Sequence, residues 1–273
     1  MSSSRQLHSF ASEAMNTEFL IDIPVSERDE KYARQAAMAA FRELEIIEGH
    51  LSRYIESSDI SRINNLKAGE SVVVDPYTFD CLAIALDLYA DTGGAFNIAF
   101  MSHPDRPLKR LFELNRDGLR VKSGSAGLRL DLGGIGKGFG LDCMADVLRE
   151  WDIDSALLRS SYSTVLALDP PPAKKGWEAG FGVGETRKEL QLARQALSGS
   201  GIEMQGEHIQ DPRQNKAARG YRAWALTEKA AYADGLSTAF MVMDKAAIRQ
   251  YLDTHAHASA WIQSGPEAAI EEI

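Results

Sequence analysis

Cysteine is scarce in this chain. Cys81 and Cys143 are the two among 273 residues, too few for a disulfide framework and consistent with a reducing compartment. No run of about 18 apolar residues occurs, so no segment reads as a membrane-spanning helix. The first ten residues, Met1 to Phe10, lack the apolar stretch of a secretory signal, and no lipidation cysteine follows; the expectation is a cytoplasmic protein. Positive charge is in deficit: 30 Lys and Arg against 39 Asp and Glu leave a net −9. That balance argues against backbone-driven nucleic-acid binding, which needs clustered cations, but leaves room for a local anion site. Histidine and cysteine never cluster at zinc-ligand spacing. The serine motifs Ser123-Gly-Ser-Ala-Gly127 and Ser198-Gly-Ser-Gly201 both miss the first glycine of a nucleophile elbow.

What remains is an ordinary globular composition, 44% hydrophobic and 25% charged. Length allows one large or two modest domains. The only proline-rich stretch, Asp169-Pro-Pro-Pro-Ala-Lys-Lys-Gly176, is too short for a domain linker, and no repeat is present. The chain is therefore expected to form a single domain over residues 1–273. Phe19–Ile23 reads as a strand closed by Pro24, and residues 27–49 as a long helix on the spacing of Ala37, Phe41, Leu44 and Ile47. Asp75-Pro76 opens a second helix that stops at Thr92-Gly93-Gly94. A third starts near Lys137, with Leu141, Ala145, Leu148 and Trp151 on one face, and a last one covers about 229–252. Strands are expected at Leu128–Leu132, Ala156–Leu158, Thr164–Leu168, Trp177–Val183, Glu189–Ala193, Tyr221–Leu226 and Ala258–Ile262. These do not alternate as βαβ units, so the fold class is α+β, with mixed or antiparallel sheet packed against helices.

Three constellations carry possible chemistry. In Arg129-Leu-Asp-Leu-Gly-Gly-Ile-Gly-Lys-Gly138 a strand ends in a carboxylate, glycines crowd, and a helix begins. Such a turn either brings backbone N–H groups against a phosphate or is simply a tight corner with Lys137 in solvent. It matches neither the dinucleotide fingerprint nor the P-loop. Asp234 and Thr238, four apart on the last helix, present two hard oxygens on one face, suited to Mg²⁺ or equally to ordinary helix hydrogen bonding. His208, in Glu207-His-Ile-Gln-Asp-Pro-Arg213, stands before an Asp-Pro turn, in a structural or a catalytic role.

Taken in order, these pieces resemble one family, the ApbE-like FAD:protein FMN transferases. The resemblance runs from Ala14-Met-Asn-Thr17 through Glu48-Gly-His-Leu-Ser-Arg-Tyr54, Ser58-Asp-Ile-Ser-Arg-Ile-Asn64, Gly93-Gly-Ala-Phe-Asn97 and Asp131-Leu-Gly-Gly-Ile-Gly-Lys-Gly138. It continues with His208-Ile-Gln-Asp-Pro-Arg213 and Ala233-Asp-Gly-Leu-Ser-Thr238. It implies an ApbE-like fold and a Mg²⁺-dependent transfer of FMN from FAD to a Ser or Thr hydroxyl of an acceptor protein, with AMP released. It also implies that Met15, Tyr54, Ala95, Phe96, Asn97, Asp131, Lys137 and His208 bind the flavin nucleotide. The implied metal ligands are the Gly134 carbonyl, Asp234 and Thr238, and the implied catalytic pair is His208 and Asp234. Departures from the family pattern are the amide of Asn97, Met-Asn-Thr in place of Met-Gly-Thr, the Leu157–Thr164 segment, and Ile202-Glu-Met204 after Ser198-Gly-Ser-Gly201. They keep two alternatives in play: FAD hydrolysis to FMN and AMP, and a non-catalytic member that binds a flavin, another nucleotide or a partner.

Overall fold

The structure is a computed structural model that describes residues 7–103, 106–161, 163–201, 210–211, 216–217 and 221–273. It opens with a hairpin, β1 (Leu7–Ala14) and β2 (Thr17–Pro24), whose two-residue turn holds Met15 and Asn16 at φ +50° and +57°. Two positive φ values in a row are the mark of the type I′ turn, which matches strand twist. Helix α1 (Glu30–Leu51) follows, capped by the Asp29 carboxylate on the Tyr32 N–H. Next come α2 (Asp59–Asn64), β3 (Ser71–Val73), α3 (Pro76–Asp91), α4 (Leu108–Leu111), β4 (Phe112–Asn115) and β5 (Arg120–Ser123). Then α5 (Gly136–Glu150) leads to β6 (Leu157–Ser160), β7 (Thr164–Ala167), β8 (Trp177–Phe181), β9 (Lys188–Leu192) and β10 (Gln195–Gly201). Last are β11 (Gln210–Asp211), β12 (Lys216–Ala217), β13 (Arg222–Thr227), α6 (Ala230–Phe240), α7 (Lys245–Thr254), β14 (Ser259–Gln263) and β15 (Glu271–Glu272).

Eight strands form one antiparallel sheet in the order β1-β2-β6-β7-β10-β13-β14-β15. Side chains of successive strand residues point to opposite faces, and the burial follows that period of two. Leu158, Leu166 and Ala196 pack into a core with α1 and α5. Their neighbours Leu157, Ala167 and Leu197 pack on the other face, under the β8–β9 hairpin. There the Phe181 ring lies 5.1 Å from those of Trp224 and Trp261, a cluster of aromatic contacts worth about 0.5–1.5 kcal/mol each beyond area burial. Gly199 lies opposite Trp224 in the register, and a Cβ on it would come 2.6 Å from the indole. The small residues of β10 therefore make room for the tryptophan. A third core joins α2, α3, α6 and α7 to the three-stranded sheet β3-β5-β4. The α+β class with antiparallel sheets holds.

Two sequence expectations are corrected. Leu128–Leu132 is extended, with Leu128, Leu130 and Leu132 buried, but it joins no ladder. The Asn64 side chain serves as its partner: Oδ1 accepts from Leu130 N at 2.6 Å and Nδ2 donates to Leu130 O at 3.0 Å. The alternation was genuine, whereas the hydrogen bonds go to an amide instead of a strand. The expected helix over 229–252 is two helices. Asp244 extends its backbone and accepts from Ala247 N at 2.9 Å, so it restarts the helix as a new N-cap. Among the described residues, no helix is long and apolar enough to cross a membrane.

Candidate functional site

An open cleft of about 150 Å³ lies between the β1–β2 turn, the end of α1 and the start of α5. Met15 and Asn16 line one side, Arg53 and Tyr54 another, and Asp131, Gly133, Gly136 and Lys137 the floor. Met15 is the strained member. A left-handed φ in a long non-glycine side chain costs on the order of 1 kcal/mol and persists only where tertiary packing imposes it. Tyr54 is 73% exposed at the rim, with the Arg53 guanidinium 4.2 Å from its ring centroid and donating to its hydroxyl at 2.6 Å. The same guanidinium, through Nε, pairs with Asp131 Oδ2 at 3.0 Å. Helix α2 holds this segment from behind: the Ser58 hydroxyl donates to Ser52 O at 2.6 Å and Ser61 to Arg53 O at 3.3 Å.

The floor is built by two helices that cap each other. Helix α5 begins at Gly136 with no side-chain cap from its own preceding residues. The Gly138 N–H instead donates to Asp234 Oδ2 on α6 at 3.1 Å. In return, Asp142 on α5 accepts from Ala230 N and Ala231 N, each at 2.9 Å, at the equally uncapped start of α6. Burial pushes the Asp142 carboxyl up to about 6, against the pull of those two N–H groups. Gly138 is the contact point of the crossing: a Cβ there would lie 2.1 Å from Ala230 O.

Asp234 is 3% exposed and surrounded by hydroxyls. Ser198 donates to its Oδ1 at 3.3 Å and meets Thr164 Oγ1 at 2.9 Å. Ser237 meets Ser200 at 2.9 Å, and Ser200 lies 3.3 Å from Thr238 Oγ1, which donates to Asp234 O at 3.2 Å. Gly134 is pressed onto the same spot, since a Cβ on it would come 3.3 Å from both Thr238 Oγ1 and the Phe96 ring. The Lys137 ammonium donates to Gly133 O at 3.1 Å and stands 3.7 Å from Asp234 Oδ2. At an effective dielectric of about 20 such a pair attracts by about 4.5 kcal/mol, most of which the loss of hydration offsets.

The structure thus brings Met15, Tyr54, Asp131 and Lys137 to one cleft, with Gly134, Asp234 and Thr238 converging beneath its floor. Ala95, Phe96 and Asn97 are buried, Phe96 against the Gly134 turn, and none of the three is among the residues lining this cleft. Asn97 Oδ1 accepts from Ala99 N at 2.9 Å, a task an amide oxygen performs as well as a carboxylate. In the divergent 157–164 segment, the described residues belong to the β6–β7 hairpin and none of them lines the cleft. Arg159 is paired with Asp22 on β2. His208 lies outside the described residues. Among those described, no group of three or more His, Cys, Asp or Glu gathers as a metal centre. Sequence reasoning missed Arg53, Asp142 and the hydroxyls of Ser198, Ser200 and Ser237 as parts of the site. Arg53 and Ser237 lay inside quoted motifs, while Ser198 and Ser200 read as a nucleophile elbow that lacks its first glycine.

The profile of the ApbE family matches residues 15–106 and 102–262. Sequence comparison with curated proteins finds no match. The fold resembles that of the apo flavinyl transferase ApbE of Pseudomonas stutzeri, with a TM-score of 0.81 at 19% identity over 97% of this chain and 94% of that one. The ApbE protein of Thermotoga maritima gives 0.82 at 23% identity over 98% and 97%. The flavin transferase ApbE of Vibrio cholerae gives 0.82 at 19% identity over 98% and 97%.

Proposed function

The chain belongs to the ApbE family, and from that premise we propose that it is a flavin transferase: it takes FAD as donor, moves FMN onto a Ser or Thr hydroxyl of an acceptor protein, and releases AMP. The observation that most supports this reading is the meeting of an anion-seeking and a cation-seeking set at one cleft floor. The anion-seeking set is the start of α5, open to the cleft at Gly136, and the Lys137 ammonium. A helix N-terminus with a lysine beside it suits a pyrophosphate. The cation-seeking set is Asp234, Thr238 and the Gly134 turn.

The second set fits a small hard cation. A carboxylate at 3% exposure stands with a threonine hydroxyl and a glycine turn that has no room for a Cβ, all offering oxygen. Asp234, Thr238 and the Gly134 carbonyl would hold Mg²⁺. Bound there, Mg²⁺ would supply positive charge against the pyrophosphate, favouring charge build-up on the departing AMP. The remaining work falls to the chain. Lys137, with the positive end of the α5 dipole, orients the phosphates, Met15 and Tyr54 flank the flavin nucleotide, and Asp131 positions it with Arg53. Phe96, with Ala95 and Asn97, supports the Gly134 turn from below instead of touching the ligand. His208 takes the proton of the acceptor hydroxyl as its oxygen bonds to the FMN phosphorus and the bond to AMP breaks.

The test is incubation of the purified chain with FAD and an acceptor peptide, with Mg²⁺ or with EDTA, following AMP by chromatography and FMN on the peptide by mass. Mg²⁺-dependent AMP release with peptide-bound FMN, lost in Asp234→Ala, is the expected result. AMP with free FMN alone would replace transfer by hydrolysis, and FAD left unbound would overturn the reading.

A further inference from the structure

The Lys137 ammonium sits beside the carboxylate that a divalent ion at this site would need, Asp234. Its Nζ is shared between a carbonyl, Gly133 O at 3.1 Å, and a buried carboxylate, Asp234 Oδ2 at 3.7 Å. Both partners are withdrawn from water, the lysine side chain being 18% exposed and the aspartate 4%. Thr238 Oγ1 and the Gly134 turn crowd the same place. Carbonyl, carboxylate and hydroxyl are the ligands hard cations take, and a cation of the chain already occupies the carboxylate among them, Asp234. Lys137 also lines the cleft above, and a lysine is a compact charge on a flexible stem that reaches either position from one backbone anchor. Among the described residues lining the cleft, the other cation, Arg53, is committed to Asp131.

We propose that Lys137 is a built-in counter-cation that the metal displaces. In the free protein it neutralises Asp234; when a divalent ion enters, the ammonium swings up into the cleft, where it meets phosphate. The identity of that phosphate rests on the flavin-transfer reading, while the exchange itself involves only Lys137, Asp234 and the ion. Two consequences follow from linkage. Metal binds weakly without nucleotide because it must evict an ammonium, and metal and nucleotide strengthen each other's binding because the evicted ammonium finds an anion.

The experiment titrates the full chain with Mn²⁺, without nucleotide, and reads bound ion by electron paramagnetic resonance. Lys137→Gln should bind at least about tenfold more tightly than wild type, the equivalent of about 1.4 kcal/mol. Lys137→Arg, which keeps the charge, should not. Wild-type binding that is no tighter in Lys137→Gln overturns the exchange and leaves the transferase reading standing. No Mn²⁺ binding in either protein overturns both the exchange and the metal site. A second measurement needs no variant. Acetylation of Lys137 by an amine-reactive ester, quantified by peptide mass spectrometry against exposed Lys31, should rise on adding Mg²⁺ alone and fall again when FAD is added. Absence of the rise refutes the displacement even if Lys137→Gln does not fold.

Discussion

The α5–α6 crossing is tested most directly by Gly138→Ala. An added Cβ would lie 2.1 Å from Ala230 O, 2.5 Å from Ala230 C and 2.9 Å from Ala231 Cα, all backbone atoms that no rotamer change can move aside. Restoring an ordinary contact requires the helices to part by at least about 1 Å. Three hydrogen bonds straddle that gap: Gly138 N to Asp234 at 3.1 Å, and Ala230 N and Ala231 N to Asp142 at 2.9 Å each. Lengthened by about 1 Å they cease to be hydrogen bonds, and bonds to charged groups contribute about 1.5–3 kcal/mol apiece. The better helix propensity of alanine returns at most about 1 kcal/mol. The net expectation is destabilisation by about 4 kcal/mol or more, read as a fall in Tm of about 10 °C in thermal unfolding followed by circular dichroism. Mn²⁺ affinity should fall too, because Asp234 loses its partner on α5. Gly136→Ala is the control, since its Cβ meets nothing within 4 Å and should shift stability by no more than about 0.5 kcal/mol. A Gly138→Ala protein as stable as Gly136→Ala would refute the close crossing and the mutual capping built on it.

Asp142 gives a pH signature. Its carboxyl is raised in the fold to about 6 from 3.8, so the folded state binds this proton more tightly than the unfolded chain. That contribution is fully present below about pH 4 and is lost as pH rises through about 6, a swing of about 3 kcal/mol. The stability of wild type relative to Asp142→Asn, read from denaturant midpoints between pH 4 and 7, should therefore fall as pH rises; a relative rise would mean that capping of α6 outweighs burial of the charge. Ser198→Ala removes the hydroxyl that meets Asp234 Oδ1, Thr164 and Ser237. It should cost about 1 kcal/mol in chemical denaturation and weaken Mn²⁺ binding several-fold, and unchanged binding would show that Ser198 does not orient the carboxylate.

The long elements were legible because burial writes a period into sequence. The α1 stripe and the α5 face at Leu141, Ala145 and Leu148 follow it directly; Ala37, Phe41 and Leu44 share one core with that face, and Ile47 is buried in the next. What escaped was structure whose cause lies far along the chain. Strand β10 went unnamed because Ser198-Gly-Ser-Gly201 carries no apolar alternation; only Trp224, across the ladder, explains why a central strand should be that small. The extended leucines before Gly133 were visible as alternation, but the partner supplying their hydrogen bonds is the Asn64 amide, 66 residues away. For the candidate site, Asp131, Lys137, Asp234 and Thr238 stood out by type and spacing. Arg53, Asp142 and the serines did not, since each acquires its meaning from a partner on another element.

The departures from the family pattern are accommodated by the same logic. Where the pattern has glycine in the first hairpin, Asn16 occupies φ +57°, and asparagine is among the few residues that tolerate this region at low cost. The cost falls on Met15, at φ +50°, which its neighbours hold in place. A Cβ on Gly140 would come 3.6 Å from the Met15 methyl and 2.7 Å from Leu44 Cδ1, so Gly140, Leu44 and Met15 pack as a unit at the α1–α5 contact. The hairpin that flanks the cleft is thereby tied to the helix that builds its floor. A change that loosens α5 from α1 is expected to reach Met15 before it reaches Asp234, which is fastened separately through α6. Cleft wall and cleft floor thus depend on different helix contacts, so substitutions at Gly140 and at Gly138 are expected to loosen the wall and the floor one at a time.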